Sequence, residues 1–153
     1  MSDEPVPVLV LPPALARRIE QDGAAAYPNE CCGVMYGRDE AGGGRRVVER
    51  VESLANSYAA DEQFHRFSID GRDLMRVERT AVDAGLLVLG FYHSHPDHPA
   101  RPSETDRQAA WPFYSYVIVS IAKREPLDMT CWVLDEQTET FKRQEIVEEE
   151  RPS

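Results

Sequence analysis

The chain has 153 residues, of which 42% are hydrophobic and 29% charged, and its formal net charge is −10. This length and composition predict a single globular domain with its own hydrophobic core, and they argue against a disordered or fibrous chain. The acidic balance disfavours nucleic acid and anionic membranes as partners, because both are recognised through basic surfaces. No apolar stretch is as long as a membrane span, and the N-terminus carries acids where a signal peptide needs bases.

Helical and strand-like patterns alternate along the chain, which predicts an α/β fold with a mixed sheet carrying helices. We expect one domain over 1–147 and a disordered tail over 148–153. The first half of the chain is predicted to form a strand or extended arm over 6–11, a helix over 14–27, and strands over 30–38 and 47–56 joined by a glycine-rich connection at 41–45. A loop over 57–63 and a short strand over 64–70 follow. The second half is predicted to form a helix over 70–85, a buried strand over 86–92, a helix over 103–111, and strands over 115–122, 129–135 and 139–147.

Two of these elements carry more specific expectations. In the helix over 70–85 we predict that one apolar face packs on the core and that Gly85 ends the helix. The residues of that face are Leu74, Val77, Ala81 and Val82. In the strand over 30–38, Gly33 and Gly37 indicate close backbone packing or a bend.

The three cysteines, Cys31, Cys32 and Cys131, are an odd number without regular spacing. They do not form the pattern of a disulfide framework, so we expect a reducing, cytoplasmic environment. Cys31 and Cys32 are interpreted as small apolar residues packed under the sheet rather than as redox-sensitive thiols.

Two histidines, His93 and His95, lie at the end of the buried strand over 86–92. Side chains two residues apart on a strand point to the same face, so both imidazoles can converge on one point. Such a pair favours a zinc site, and a catalytic zinc needs a third protein ligand. His98 lies out of register in a proline-rich loop and is interpreted as exposed, and His65 as a sheet residue.

Asp106 is the natural candidate for the third ligand, because the prolines between it and His95 restrict the path of the chain. Ser103 and Asp106 also fit a capping box at the start of a helix, and both interpretations remain open. A hydrolytic zinc site also needs a general base. Glu30, at the boundary of an apolar strand, is a candidate whose pKa burial would raise toward neutrality.

In combination these residues resemble the JAMM metalloprotease family, also called MPN-plus or Mov34-type. The match consists of Glu30, then His-Ser-His-Pro at 93–96, with seven residues between His95 and Ser103 and two between Ser103 and Asp106. The resemblance covers roughly Leu9 to Val147, and the chain is more similar to the small stand-alone bacterial branch, because it is compact around the site.

The resemblance implies a single-domain JAMM/MPN fold with a mixed curved sheet and a topology similar to that of cytidine deaminases. It implies that His93, His95 and Asp106 bind one zinc ion, that Glu30 is the general acid and base, and that Ser103 stabilises the oxyanion. The implied reaction is hydrolysis of a peptide or isopeptide bond at the C-terminal Gly-Gly tail of a ubiquitin-like or sulfur-carrier protein. The oligomeric state and the identity of the carrier stay open.

Three other functions compete with this interpretation. A non-catalytic MPN-type scaffold is disfavoured, because such domains have lost ligands that this chain keeps. A zinc nucleobase deaminase would need His-x-Glu and Pro-Cys-x-x-Cys motifs, which the sequence lacks. A RadC-like protein would carry His-Asn-His-Pro-Ser-Gly, whereas this chain has His-Ser-His-Pro-Asp-His, and its negative charge argues against DNA.

Overall fold

The computed structural model describes residues 6–56 and 71–150, so the predicted loop over 57–63 and strand over 64–70, with His65, lie outside the described residues. Three helices and eight strands account for most of the described chain. The helices are α1 (Pro13–Ala26), α2 (Gly71–Ala84) and α3 (Glu104–Ala109). The strands are β1 (Val8–Val10), β2 (Cys32–Glu40), β3 (Arg45–Leu54), β4 (Leu87–Pro96), β5 (Ser115–Ala122), β6 (Glu125–Asp135), β7 (Thr140–Gln144) and β8 (Ile146–Val147).

The strands form one mixed sheet in the order β7-β6-β5-β4-β2-β3-β1-β8. β4 runs parallel to β5, and β1 runs parallel to both β3 and β8, whereas the other neighbours are antiparallel. The predicted α/β class with a mixed sheet is therefore confirmed. β4 lies at the centre of this order, which explains why its sequence is almost continuously apolar.

The sheet curves until its two edges approach each other. Its edge strands β7 and β8 are separated in sequence by Glu145 alone, so the edges lie within the short reach of that connection. Gln144 ties them further, because its side chain contacts the Cys131 thiol and donates to the Pro7 carbonyl at 2.7 Å. The prediction of one strand over 139–147 is wrong in this respect, since the chain crosses there from one edge to the other.

α1 and α2 cover opposite faces of the sheet. Ile19 of α1 packs in a cluster with Met35 and Val117, while Val77 and Ala81 of α2 pack in a second cluster with Val34 and Phe91. Since Val34 and Met35 are neighbours on β2, they point to opposite faces and into different clusters. Both faces of the central strands are therefore buried.

The predicted apolar face of α2 is only partly correct. Val77 and Ala81 are buried, but Val82 is 76% exposed and Leu74 is 39% exposed. Val82 is one residue beyond Ala81 and thus about 100° further around the helix, away from the sheet. Leu74 lies in the first turn, before the stretch that the sheet covers. No helix of the described residues is long and apolar enough to cross a membrane.

The glycine predictions are confirmed. A Cβ on Gly33 would lie 2.1 Å from the ring of Tyr92, so only glycine allows that ring to lie against β2. Gly37 follows an irregularity in the β2–β3 register, and a Cβ there would meet the Val47 carbonyl oxygen at 1.9 Å. Gly85 has a φ of 69° and ends α2, with the following Leu86 N–H bonded back to Ala81.

Candidate active site

Pairing of β2 with β4 places Glu30 beside the two histidines. Cys32 is the antiparallel partner of His93, so Glu30, two residues earlier, lies across from His95, two residues later. Residues opposite each other in an antiparallel pair share a face, and a step of two keeps that face. Glu30, His93 and His95 accordingly form a buried group whose ligand atoms all lie within 4.8 Å of one another.

The two imidazoles converge as their spacing predicts. Their Nε2 atoms are 3.2 Å apart, and both rings are buried. The other nitrogen of His95, Nδ1, lies 2.9 Å from the carbonyl oxygen of Pro99, which orients the ring. A metal-binding histidine is commonly held in this way, with one ring nitrogen on a backbone carbonyl and the other directed at the ion.

Asp106 completes the group from the first turn of α3. Its Oδ1 lies 3.2 Å from His93 Nε2, and its Oδ2 lies 3.1 Å from His95 Nε2. The same carboxylate accepts a hydrogen bond from the Ser103 N–H at 2.8 Å, and the Ser103 hydroxyl accepts one from the Asp106 N–H at 3.1 Å. The capping box and the contact with the histidines, which the sequence left as alternatives, are both present. The cap holds the carboxylate at the histidines.

The ionisable groups of the site shift one another's pKa values. Burial lowers the pKa of His93, with Asp106 opposing. Burial also acts to lower the pKa of His95, but its hydrogen bonds to Asp106 and to the Pro99 carbonyl outweigh burial, and its pKa is raised. Burial acts to raise the pKa of Asp106, yet the two histidines hold it well below its usual range. An ionised Asp106 therefore faces both imidazoles.

Glu30 behaves differently from Asp106. Burial raises its pKa to about 8, with His95 lowering it and Asp106 raising it. Its carboxyl therefore exchanges a proton near physiological pH, as a general base must. The main chain of Glu30 is fixed by Asn56, whose side-chain amide donates to the Glu30 carbonyl at 3.3 Å.

The donor set fits a divalent zinc ion. Two imidazole nitrogens and carboxylate oxygens, all buried and all directed at one point, are the ligands that zinc takes in catalytic sites. Asp106, which stays ionised and lies within 3.2 Å of each imidazole, is the carboxylate better suited to be a ligand. Glu30, with its raised pKa, is better suited to carry a proton.

A cleft of about 390 Å³ opens beside Glu30. Its walls come from the C-terminal end of α1, the segment that leads into β2 and the end of β3. Asp22, Asn29, Ser53 and Asn56 line it with Glu30. Glu30 therefore belongs both to this cleft and to the group formed with the two histidines.

Cys31 and Cys32 are both buried, and burial raises the pKa of each thiol to about 12. Such thiols are protonated at physiological pH and react slowly. Cys31 belongs to the core cluster under α1, and Cys32 to the cluster under α2. This environment supports the prediction that both cysteines pack as small apolar residues. His98 is exposed, as expected, and its carbonyl accepts from Ser120.

The sequence analysis missed the residue between the two histidines. Ser94 is fully buried on the opposite face of β4, and its hydroxyl accepts a hydrogen bond from the Cys31 N–H at 2.8 Å. Ser94 alternates with the two histidines and so shares the face of Tyr92 rather than theirs, and this alternation was the signal that could have singled it out.

Comparison with known proteins identifies the family. Residues 12–135 match the model of the prokaryotic homologues of the JAB domain. The chain belongs to this family. The match spans every residue of the site, from Glu30 to Asp106, and the fold of the family is the one described above.

This JAB-family chain has relatives with peptidase names. It is 36% identical over 102 residues to the desampylase of Haloferax volcanii, covering 65% of this chain and 69% of that protein. It is 32% identical over 114 residues to the CysO-cysteine peptidase of Mycobacterium tuberculosis, covering 74% and 73%. A solved structure from Desulfitobacterium hafniense superposes with a TM-score of 0.79 at 30% identity and covers 94% of each chain.

Proposed function

We propose that this protein is a zinc peptidase that hydrolyses a peptide or isopeptide bond at the C-terminal Gly-Gly tail of a ubiquitin-like or sulfur-carrier protein. One observation carries the proposal. A proton-exchanging Glu30 and an ionised Asp106 flank two converging imidazoles in a buried site beside an open cleft. The relatives named desampylase and CysO-cysteine peptidase support this reaction and this class of substrate.

His93, His95 and Asp106 would hold the ion. When bound, zinc polarises the scissile carbonyl and makes a water molecule acidic enough to attack at neutral pH. The chain's own contribution is to aim the two Nε2 atoms and one carboxylate at a single point. The Pro99 carbonyl and the capping box keep His95 and Asp106 in that orientation.

Glu30 would carry the proton between the two halves of the reaction. Its carboxylate takes a proton from the attacking water and returns it to the leaving nitrogen, which needs a group that gains and loses a proton near pH 7. Burial beside Asp106 supplies that property by raising the pKa of Glu30 to about 8.

Ser103 would stabilise the negative charge that develops on the carbonyl oxygen. In the capping box its hydroxyl oxygen accepts from the Asp106 N–H, and this bond uses a lone pair. The hydroxyl proton is thus available to donate to an oxyanion.

A flexible Gly-Gly tail suits this site because it brings no side chain into the cleft. An acidic protein can bind an uncharged tail through backbone hydrogen bonds, as in strand addition. The removed group is then a C-terminal extension, an added amino acid or a conjugated protein. We place this activity in the cytoplasm, in line with buried, unpaired cysteines.

The test is mass spectrometry of a cleavage reaction. Zinc-loaded protein is incubated with Gly-Gly sulfur carriers bearing C-terminal extensions and with a di-ubiquitin, and Glu30→Gln is the control. We expect the wild type alone to trim a substrate back to Gly-Gly. Absence of cleavage by a protein that binds one zinc would favour the alternative, a non-catalytic MPN-type scaffold that retains its metal site.

A further inference from the structure

The last rung of hydrogen bonds between β2 and β4 before the active site joins Cys31 to Ser94, and a side chain makes one of its two bonds. The Ser94 N–H donates to the Cys31 carbonyl at 3.2 Å, and the Cys31 N–H donates to the Ser94 hydroxyl oxygen at 2.8 Å. In a regular antiparallel pair of this kind both bonds run between backbone groups. In this rung the Ser94 hydroxyl oxygen, rather than the Ser94 carbonyl oxygen, accepts the hydrogen bond from the Cys31 N–H.

This rung lies directly between the general base and the metal ligands. Cys31 follows Glu30 in sequence, and Ser94 separates His93 from His95. Each bond of the rung therefore constrains the main chain of Glu30 relative to the two imidazoles. Regular β2 begins only at Cys32, so this rung is what continues the pairing toward Glu30.

The surroundings of Ser94 leave its hydroxyl no competing role at the site. Successive residues on a strand point to opposite faces, so Ser94 points away from the histidines and under α1. It is fully buried, and a Cβ on Gly23 of α1 would lie 3.3 Å from the Ser94 Cβ. Ser94 does not line the cleft beside Glu30, and its buried hydroxyl already accepts from the Cys31 N–H.

We propose that Ser94 is a positioning residue for hydrolysis, because its hydroxyl fixes the Glu30 backbone at the working distance from the histidine pair. The proposal rests on the proposed peptidase function. A misplacement of a catalytic group by about 1 Å can cost about 10²-fold in rate. Loss of this hydroxyl should therefore reduce kcat much more than it changes KM or zinc affinity.

The test compares Ser94→Ala with Ser94→Thr, which keeps the hydroxyl. We expect Ser94→Ala to lower kcat by about 10- to 100-fold with KM and the zinc Kd within about threefold of wild type. Ser94→Thr should restore most of kcat. Ser115→Ala is the matched control, since Ser115 is equally buried and accepts from Arg46 at 2.8 Å, but pairs with Gly90 at the far end of β4.

A second readout does not depend on activity. Amide hydrogen exchange of metal-free protein should be at least about tenfold faster at Cys31 in Ser94→Ala than in wild type, and unchanged at Val34. Ser94→Thr should protect Cys31 again. If Ser94→Ala does not fold, Ser94→Cys, which keeps the volume and offers only a weak acceptor, carries the same comparison.

The possible outcomes separate the two proposals. An active wild type with a Ser94→Ala variant of equal kcat overturns the positioning role, and so does unchanged exchange at Cys31. A fall in kcat that Ser94→Thr does not reverse also overturns it. Absence of cleavage by the zinc-loaded wild type overturns the proposed function instead, and the Cys31 exchange rates then still decide whether the hydroxyl holds the rung.

Discussion

The two faces of β4 near its C-terminal end differ in what burial does to their polar groups. On one face, His93 and His95 meet Asp106 and Glu30, and together these groups could hold a cation. On the other face, Tyr92 and Ser94 are hydrogen-bonded and packed under α1. Burial is nearly complete on both faces. The difference lies in the partners, since one face offers converging ligands and the other offers matched donors and acceptors.

Neighbouring residues illustrate the same contrast. Burial raises the pKa of Glu30 to about 8 and that of Cys31 to about 12. The same physical cause moves the pKa of the carboxyl toward physiological pH and the pKa of the thiol away from it, because the two groups have different ordinary pKa values. Burial thus suits a glutamate to exchange protons near neutral pH, whereas it keeps a cysteine protonated.

The largest effect is expected at Glu30, the proposed proton carrier. Glu30→Gln should lower kcat by about 10³-fold or more, because it removes the group that moves the proton while keeping its shape. Zinc content, measured by mass spectrometry of the purified metal-loaded protein, should stay at one per chain. Loss of the metal together with activity would instead make Glu30 a ligand or a folding residue.

Asp106→Asn should weaken zinc binding by about 100-fold, because the proposed anionic ligand, which faces both imidazoles, becomes neutral. A competition titration with a metal chelator measures this change. Ser103→Ala is the matched control, since it removes the hydroxyl of the capping box but leaves the Asp106 carboxylate. Equal zinc affinities of Asp106→Asn and wild type would return Asp106 to a purely capping role.

The raised pKa of Glu30 predicts how the stability of metal-free protein depends on pH. The folded state holds this proton up to about pH 8, whereas an ordinary glutamate loses it near 4.5. The free energy of unfolding should therefore fall as pH rises from about 5 to 9, on the order of 3 kcal/mol from this group. Glu30→Gln should remove this fall, as urea unfolding at several pH values would reveal. If the free energy of unfolding of Glu30→Gln fell equally with pH, other groups would be its cause.

On the packed face, Tyr92→Phe should affect stability rather than catalysis. The Tyr92 hydroxyl donates to the Asp22 carboxylate, which also accepts from Ser53. Loss of one bond to a charged group should lower the free energy of unfolding by about 2 kcal/mol. Denaturant unfolding measures this, and kcat should change by less than about threefold. A hundredfold fall in kcat would place Tyr92 among the residues that shape the site.

The smallest effect is expected at Cys31. In the folded protein its thiol should resist alkylation at pH 8 for hours, because burial raises its pKa to about 12. Cys31→Ala should keep activity and lose only about 1 kcal/mol of stability. Rapid labelling of Cys31, with loss of activity that the alanine variant escapes, would revive the redox-sensitive interpretation.

The sequence by itself determined the class of the fold, the buried strand leading to His93 and His95, and the roles of Gly33, Gly37 and Gly85. These follow from local rules, because side-chain periodicity and glycine chemistry act over a few residues. Only the tertiary structure decided features that depend on distant pairing. Examples are the exposure of Val82, the division of 139–147 between two sheet edges, and the register that sets Glu30 opposite His95. Ser94 belongs with these, because its hydroxyl has a purpose only once Cys31 lies across from it.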